Sequence, residues 1–265
     1  DGIVIGNSAK NKACKLIFDM HENYEINGRS QKIRYVMRAI VNHYQNKSDY
    51  IIYVDELQKE FMSHKNKNKS VCFPNYPRTV DFKYCTKSVS DKLRISYIGS
   101  VRQYNELKVL IDACRELDNI SINIHGTGVA YERLNSIKNE YSNVKVTGRY
   151  NFKQSSKLYN EADLLYVIYP TSSMQYLTSY PVKFFESIIT KTPVIVGKHT
   201  VLEKFVRKYD IGFVVDGDNI EDVKKMITYI GENKNILENK IKNLEKIQYN
   251  YCWEEVVKHL NKIYN

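Results

Sequence analysis

The sequence predicts an α/β protein built on parallel sheet with helices on both faces, divided into two parts. Two observations carry that expectation. Short β-rich runs alternate with amphipathic stretches along all 265 residues, the pattern of strand–helix–strand crossovers. Two prolines within four residues, in Pro74-Asn75-Tyr76-Pro77, punctuate the alternation where a boundary is expected.

Element by element, Leu16 opens an apolar strand that runs into Asp19, His21 and Glu22. Ser48–Val54 reads as a second strand, and Asp55 with Gln58 three residues on reads as a capping box starting a helix. Val71-Cys72-Phe73 leads into the two prolines, and the polar stretch 78–92 reads as linker. Ile95–Ile98 is a strand that ends at Gly99-Ser100, followed by a helix with Leu107, Leu110, Ile111, Cys114 and Leu117 at helical spacing. Ile120–Ile124 is the next strand, ending in His125-Gly126-Thr127-Gly128. A dinucleotide fingerprint would need a third glycine at Tyr131, so a nicotinamide site is disfavoured. Val144–Thr147 runs into Gly148-Arg149-Tyr150, and Leu164–Tyr169 ends at Pro170, after which 171–180 reads as a loop rich in Ser and Thr. Further on, Val223, Met226, Ile227 and Ile230 share one helix face. The C-terminal segment places Trp253, Val256, Val257, Leu260 and Ile263 on one stripe of a final helix.

The segment from Ser179 to Gly197 carries the most chemistry. Pro181 suits a first helical turn, and Phe184, Phe185, Ile188 and Ile189 set the buried face. Lys183 and Glu186 then lie one turn apart near the helix start. A helix N-terminus offers unpaired N–H groups to a phosphate, a lysine adds charge, and a carboxylate can take two ribose hydroxyls. The alternative is an ordinary surface pair at i, i+3, worth a few tenths of a kcal/mol.

In its order of proline, lysine, glutamate and a following Pro-Val-Ile strand, this segment resembles the donor site of GT-B glycosyltransferases, especially family 4. The resemblance spans nearly the whole chain, with the Gly99 loop, the Gly126–Gly128 pair, the Asn160-Glu161-Ala162-Asp163 turn and the Pro74-Asn75 hinge in family order. It implies Rossmann-like sheets: a partial N-terminal, acceptor-side domain (1–76), a complete donor-binding domain (77–247) and a helix crossing back (248–265). By the resemblance Gly99, Ser100 and Arg102 approach the diphosphate, and Gly126 and Gly128 belong to the donor site. Arg149 and Tyr150 cradle the base, although solvated loop residues are the other reading. Thr178, Ser179 and Tyr180 wrap the sugar or phosphates, Lys183 binds phosphate and Glu186 ribose. His21 faces the sugar, against the alternative of a loop histidine capping its own turn; Glu22 and Glu25 orient it, bind acceptor or are solvated. Two positions depart from the family pattern: Asn105 stands for a common lysine, and Thr178 stands eight residues before Glu186 where many relatives carry a first glutamate.

The implied activity is a retaining, metal-independent sugar transfer from a nucleotide-diphosphate sugar, with UDP as the example donor nucleotide. The acceptor is expected to be a glycan or polyprenyl-linked molecule of bacterial surface polysaccharide synthesis, such as capsule or lipopolysaccharide. No cofactor and no metal are expected. Rivals are a UDP-sugar 2-epimerase, a non-catalytic binding subunit and a purely structural module. About 75 residues precede the hinge where relatives have well over a hundred, and the chain starts at Asp1, so roughly 90 residues are expected to be missing.

Composition bounds the remainder. The net charge of +10 divides as +4 over residues 1–76 (12 basic, 8 acidic) and +6 beyond (28 basic, 22 acidic), with no dominant stripe. Diffuse basicity suits anionic nucleotide sugars and a peripheral position beside anionic lipid, which the Lys65–Lys69 run could touch unless it is simply solvated. The 22 tyrosines are scattered through apparent core elements, which disfavours nucleic acid. Five cysteines without CxxC spacing point to a reduced cytoplasmic compartment and no structural zinc. The uncharged run Leu164–Val182 holds two prolines and is not a membrane span.

Overall fold

A computed structural model describes residues 2–11, 14–21, 30–82, 90–172 and 174–264. The chain forms two compact units, Asp1–Asn75 with Trp253–Asn265, and Tyr76–Cys252.

The first unit holds β1 (Ile17–Met20), β2 (Tyr50–Tyr53) and β3 (Ser70–Cys72), with helices α1 (Gly2–Ala9), α2 (Gln31–Lys47), α3 (Glu56–Glu60) and α4 (His64–Asn68). The strands pair in parallel in the order β1-β2-β3. Met20, Ile51, Tyr53 and Met62 form the buried cluster. The capping box at α3 forms in both directions: Asp55 accepts from the Leu57 N–H, and Gln58 accepts from the Asp55 N–H. The final helix predicted from the sequence is broken into Trp253–Val256, a 3₁₀ turn at Val257–His259, and Asn261–Tyr264. The change falls at the adjacent valines 256 and 257, whose branched side chains crowd a helical turn. Val256 and Ile263 are buried, whereas Trp253 is 38% exposed and lies off the expected stripe.

The second unit is a six-stranded parallel sheet: β4 (Leu93–Ile98), β5 (Ile120–His125), β6 (Val144–Gly148), β7 (Leu164–Val167), β8 (Val194–Gly197) and β9 (Gly212–Val215). Its helices are α5 (Tyr104–Ala113), α6 (Tyr131–Ile137), α7 (Ser155–Asn160), α8 (Met174–Thr178), α9 (Val182–Ile189), α10 (Val201–Tyr209), α11 (Ile220–Glu232) and α12 (Ile236–Ile247). The stretch read as an uninterrupted loop at 171–180 thus contains α8, a five-residue helix too short to show a periodicity.

Side chains alternate across β4. Leu93, Ile95 and Tyr97 join Leu107, Leu110, Val223 and Ile227 in one core, and Ile98 joins Phe184, Ile188, Val196 and Leu244 in another. Two full cores on opposite faces explain why the strands read as near-continuous apolar runs. The strand order β6-β5-β4-β7-β8-β9 reverses direction between β4 and β7. In such doubly wound sheets a ligand crevice opens outside the C-terminal ends of the strands at this switch point, which here means the loops after Ile98 and Val167.

At the opposite end of β4 and β7, Asp163 accepts from the Arg94 backbone N–H (2.8 Å), Nε (3.0 Å) and Nη2 (2.6 Å). Both side chains are largely covered, at 13% and 22% exposure. Asp163→Ala removes all three of these hydrogen bonds, and is expected to cost about 3 kcal/mol, read as a lower midpoint in urea melts with an unchanged slope.

Candidate functional site

Helix α9 is anchored from beneath: Phe184 and Ile188 are fully buried, and the Ser187 hydroxyl donates back to the Phe184 carbonyl at 2.6 Å. Pro181 stands one position earlier than expected, as the N-cap, with no side chain capping the helix start. The first N–H groups of α9 are therefore available to an external acceptor.

Lys183 sits at this start and is only 9% exposed. Its Nζ has no hydrogen-bond partner and lies 3.5 Å from the centroid of the Tyr97 ring. Burial pushes its pKa down to about 7, against the opposing pull of Glu186. An unpartnered buried ammonium is costly, so this is no solvated surface pair. Lys183 lines a cavity of about 210 Å³ together with Ser100, Arg102, Gln103, Tyr176 and Ser179. A second hollow of about 650 Å³ shares Arg102, Gln103 and Tyr176 with it.

The loop after β4 forms the opposite wall. Gly99 has φ +128°, and a Cβ there would stand 3.2 Å from Lys183 Cε and 3.3 Å from Nζ. Backbone bonds extend the sheet into this loop, with Gly99 N–H donating to His125 O (2.9 Å) and Val101 N–H to Thr127 O (3.0 Å). Tyr97 Oη donates to Ser100 O (2.6 Å), and exposed Arg102 donates through Nε to Ser100 Oγ (3.0 Å). Gly126 and Gly128 have a packing reason of their own. Cβ atoms there would stand 1.8 Å from Gly99 O and 2.3 Å from Val101 O, so both glycines let the loops after β4 and β5 touch.

Glu186 is half-buried on α9, and its Oε2 accepts from Tyr159 Oη at 2.7 Å. Burial raises its pKa, opposed by that hydrogen bond and by Lys183. Tyr150 is half-buried close by, its own pKa raised by burial and then by the Glu186 charge, while Arg149 is exposed. Thr178 ends α8 half-buried. Tyr180 packs against Phe184, Phe185 and Phe205 at 5.6–5.9 Å between centroids. His21 follows β1 in the first unit, exposed, with Nε2 3.1 Å from Asp19 Oδ2. Glu22 and Glu25 lie outside the described residues.

The second unit thus gathers Ser100, Arg102, Ser179 and Lys183 around one cavity, with Gly99 against Lys183. Sequence reading passed over Tyr97, Gln103, Tyr169 and Tyr176. Tyr169 and Tyr176 stack at 5.3 Å, and Gln103 Nε2 reaches Tyr176 Oη at 3.5 Å. The available signal was position: Tyr97 is the penultimate residue of β4, and Tyr169 is the last residue of the run Leu164–Tyr169. Among the described residues no three His, Cys, Asp or Glu side chains come together to hold a metal ion. No described helix is long and apolar enough to cross a membrane.

Solved structures share the fold. HepE of Anabaena, crystallised with UDP and glucose, superposes with a TM-score of 0.72 at 13% identity, over 98% of this chain and 73% of that one. TarM gives 0.71 at 16% identity, over 98% and 52%. Sucrose-phosphate synthase of Thermosynechococcus elongatus gives 0.70 at 15% identity, over 94% and 66%. An uncharacterized glycosyltransferase of Methanocaldococcus jannaschii is 22% identical over 219 residues, 82% of this chain; the chain spans 59% of that relative's length. The family model "Glycosyl transferases group 1" matches residues 85–247, and with that match over more than half its length the chain belongs to the glycosyl transferases group 1 family, with the GT-B fold.

Proposed function

We propose that this protein transfers a sugar from a nucleoside-diphosphate sugar to a glycan or lipid-linked acceptor, with retention, without a metal, and in bacterial surface polysaccharide synthesis. The observation that carries the reading is Lys183, a buried ammonium with no hydrogen-bond partner, lining a cavity at an uncapped helix start. A pyrophosphate would supply the missing acceptors. Arg102, Lys183 and the N-terminus of α9 would together offset the charge developing on the departing diphosphate, the task a divalent cation performs elsewhere. Glu186 would take the ribose hydroxyls and the Tyr150 loop the base. The net charge of +10 favours approach of an anionic donor and of an anionic membrane surface carrying a lipid-linked acceptor.

Lys183→Ala and Glu186→Ala are each expected to weaken nucleoside diphosphate binding at least about tenfold, near 1.4 kcal/mol. Calorimetric titration with UDP, GDP and ADP checks this. Unchanged affinity in both variants would overturn the assignment.

A further inference from the structure

We infer that Tyr159 is a positioning residue for Glu186: its hydroxyl fixes one carboxylate oxygen so that the other is presented to the ribose diol of a nucleoside diphosphate. The inference rests on the proposed reading of Glu186 as the ribose ligand and adds how that ligand is held.

Tyr159 lies on α7 and is fully buried, its ring edge-on to Phe82 at 5.7 Å. From that fixed place Oη stands 2.7 Å from Glu186 Oε2 and 3.5 Å from the Lys183 carbonyl. One hydroxyl therefore touches both the carboxylate and the backbone of the first turn of α9. A glutamate carries three side-chain torsions, and freezing them costs affinity when it happens on binding. Tyr159 makes that payment in the free protein, which is preorganisation in the ordinary sense. The hydroxyl also opposes the effect of burial on Glu186, favouring the ionised carboxylate. The groups facing Glu186 are Tyr159 from α7, Tyr150 from the loop after β6 and Lys183 from its own helix. Of these, Tyr159 donates a hydrogen bond to the carboxylate.

A hydroxyl that served only to fill a buried polar contact would affect melting and leave ribose recognition alone. The discriminating measurement is the ratio of affinities for UDP and 3′-deoxy-UDP, by calorimetry; where GDP or ADP binds more tightly, that nucleotide and its 3′-deoxy form replace them. The wild type is expected to prefer the complete ribose about tenfold. Tyr159→Phe should compress the preference below about threefold while leaving 3′-deoxy-UDP affinity within about twofold. Phe82→Leu, which disturbs the same packing and spares the hydroxyl, should keep the wild-type ratio. Tyr159→Met carries the same readout should the phenylalanine variant not fold. If Glu186→Gln loses the preference but Tyr159→Phe keeps it, the positioning role is overturned and the ribose assignment stands. If Glu186→Gln also keeps it, the assignment of Glu186 falls and this inference with it.

Discussion

Lys183→Met is expected to stabilise the ligand-free protein by up to about 4 kcal/mol at pH 7, raising the melting transition of the second unit by up to roughly 10 °C. The physical cause is burial without a hydrogen-bond partner. Lys183 Nζ has no hydrogen-bond partner, and the folded-state pKa falls from 10.5 to about 7. The Tyr97 ring face at 3.5 Å returns part of the lost hydration as a cation–π contact, worth about 2 kcal/mol at a desolvated site, which makes about 4 kcal/mol the upper end of the expected gain. Between pH 7 and 10.5 the unfolded chain binds more protons than the folded one, so stability rises with pH across that window. Below pH 7 the lysine is protonated in both states and the full penalty applies. Above 10.5 it is neutral in both and the penalty is gone. The gap between variant and wild type should therefore be widest below pH 7 and close as pH climbs toward 10.5.

The same linkage runs through the ligand. A nucleotide sugar, whose esterified phosphates do not titrate here, favours the ammonium, so wild-type affinity should decline above pH 7 by up to about tenfold per pH unit. The methionine variant should bind weakly and without that dependence. Melts at four pH values between 6 and 10 check the stability arm. Coincident curves for the two proteins at every pH would show that Lys183 is not the desolvated group described.

The pair that frames this prediction was legible in the sequence, and its environment was not. Phe184, Phe185, Ile188 and Ile189 repeat at helical spacing, so the placement of Lys183 and Glu186 on one short helix followed from periodicity alone. Their surroundings did not: Lys183 is covered by Tyr97 and the Gly99 loop, more than 80 residues earlier, and Glu186 is held by Tyr159. The parallel sheets were readable for the same reason, since strands covered on both faces become apolar throughout. Helix α8, five residues in a Ser/Thr-rich stretch, and the break at Val256-Val257 lie below the length at which a period declares itself. Tyr97, Tyr159 and Tyr176 were hidden by type: among 22 tyrosines, only the contact made by the hydroxyl or ring separates a site residue from a core one. Gly126 and Gly128 were legible as a pair, but their reason lies in a neighbouring loop.

That reason yields the second large effect: Gly126→Ala is expected to cost at least about 4 kcal/mol and to abolish nucleotide binding. Gly126 has φ +130°, and an added Cβ would stand 1.8 Å from the Gly99 carbonyl oxygen. Backbone strain at such a φ costs of order 1–3 kcal/mol. The overlap must then be relieved by moving one backbone from the other. Neither loop is free to move without loss, since Gly99 N–H is held by His125 O at 2.9 Å and Gly126 N–H by Gly148 O at 2.8 Å. Parting them withdraws Gly99 from Lys183 and opens the wall of the cavity. Gly99→Ala tests the next layer. Its Cβ would meet the flexible end of Lys183 at 3.2 Å, so the contact is relieved by the lysine; the strain of φ +128° remains, of order 1–3 kcal/mol, so stability should fall less than at Gly126 while binding is still weakened. Gly2→Ala, with nothing within 4 Å of the added carbon, should change neither. Melting and calorimetric titration of the three variants read the gradient, and a Gly126→Ala protein that melts and binds like wild type would mean that the loops after β4 and β5 do not touch as described.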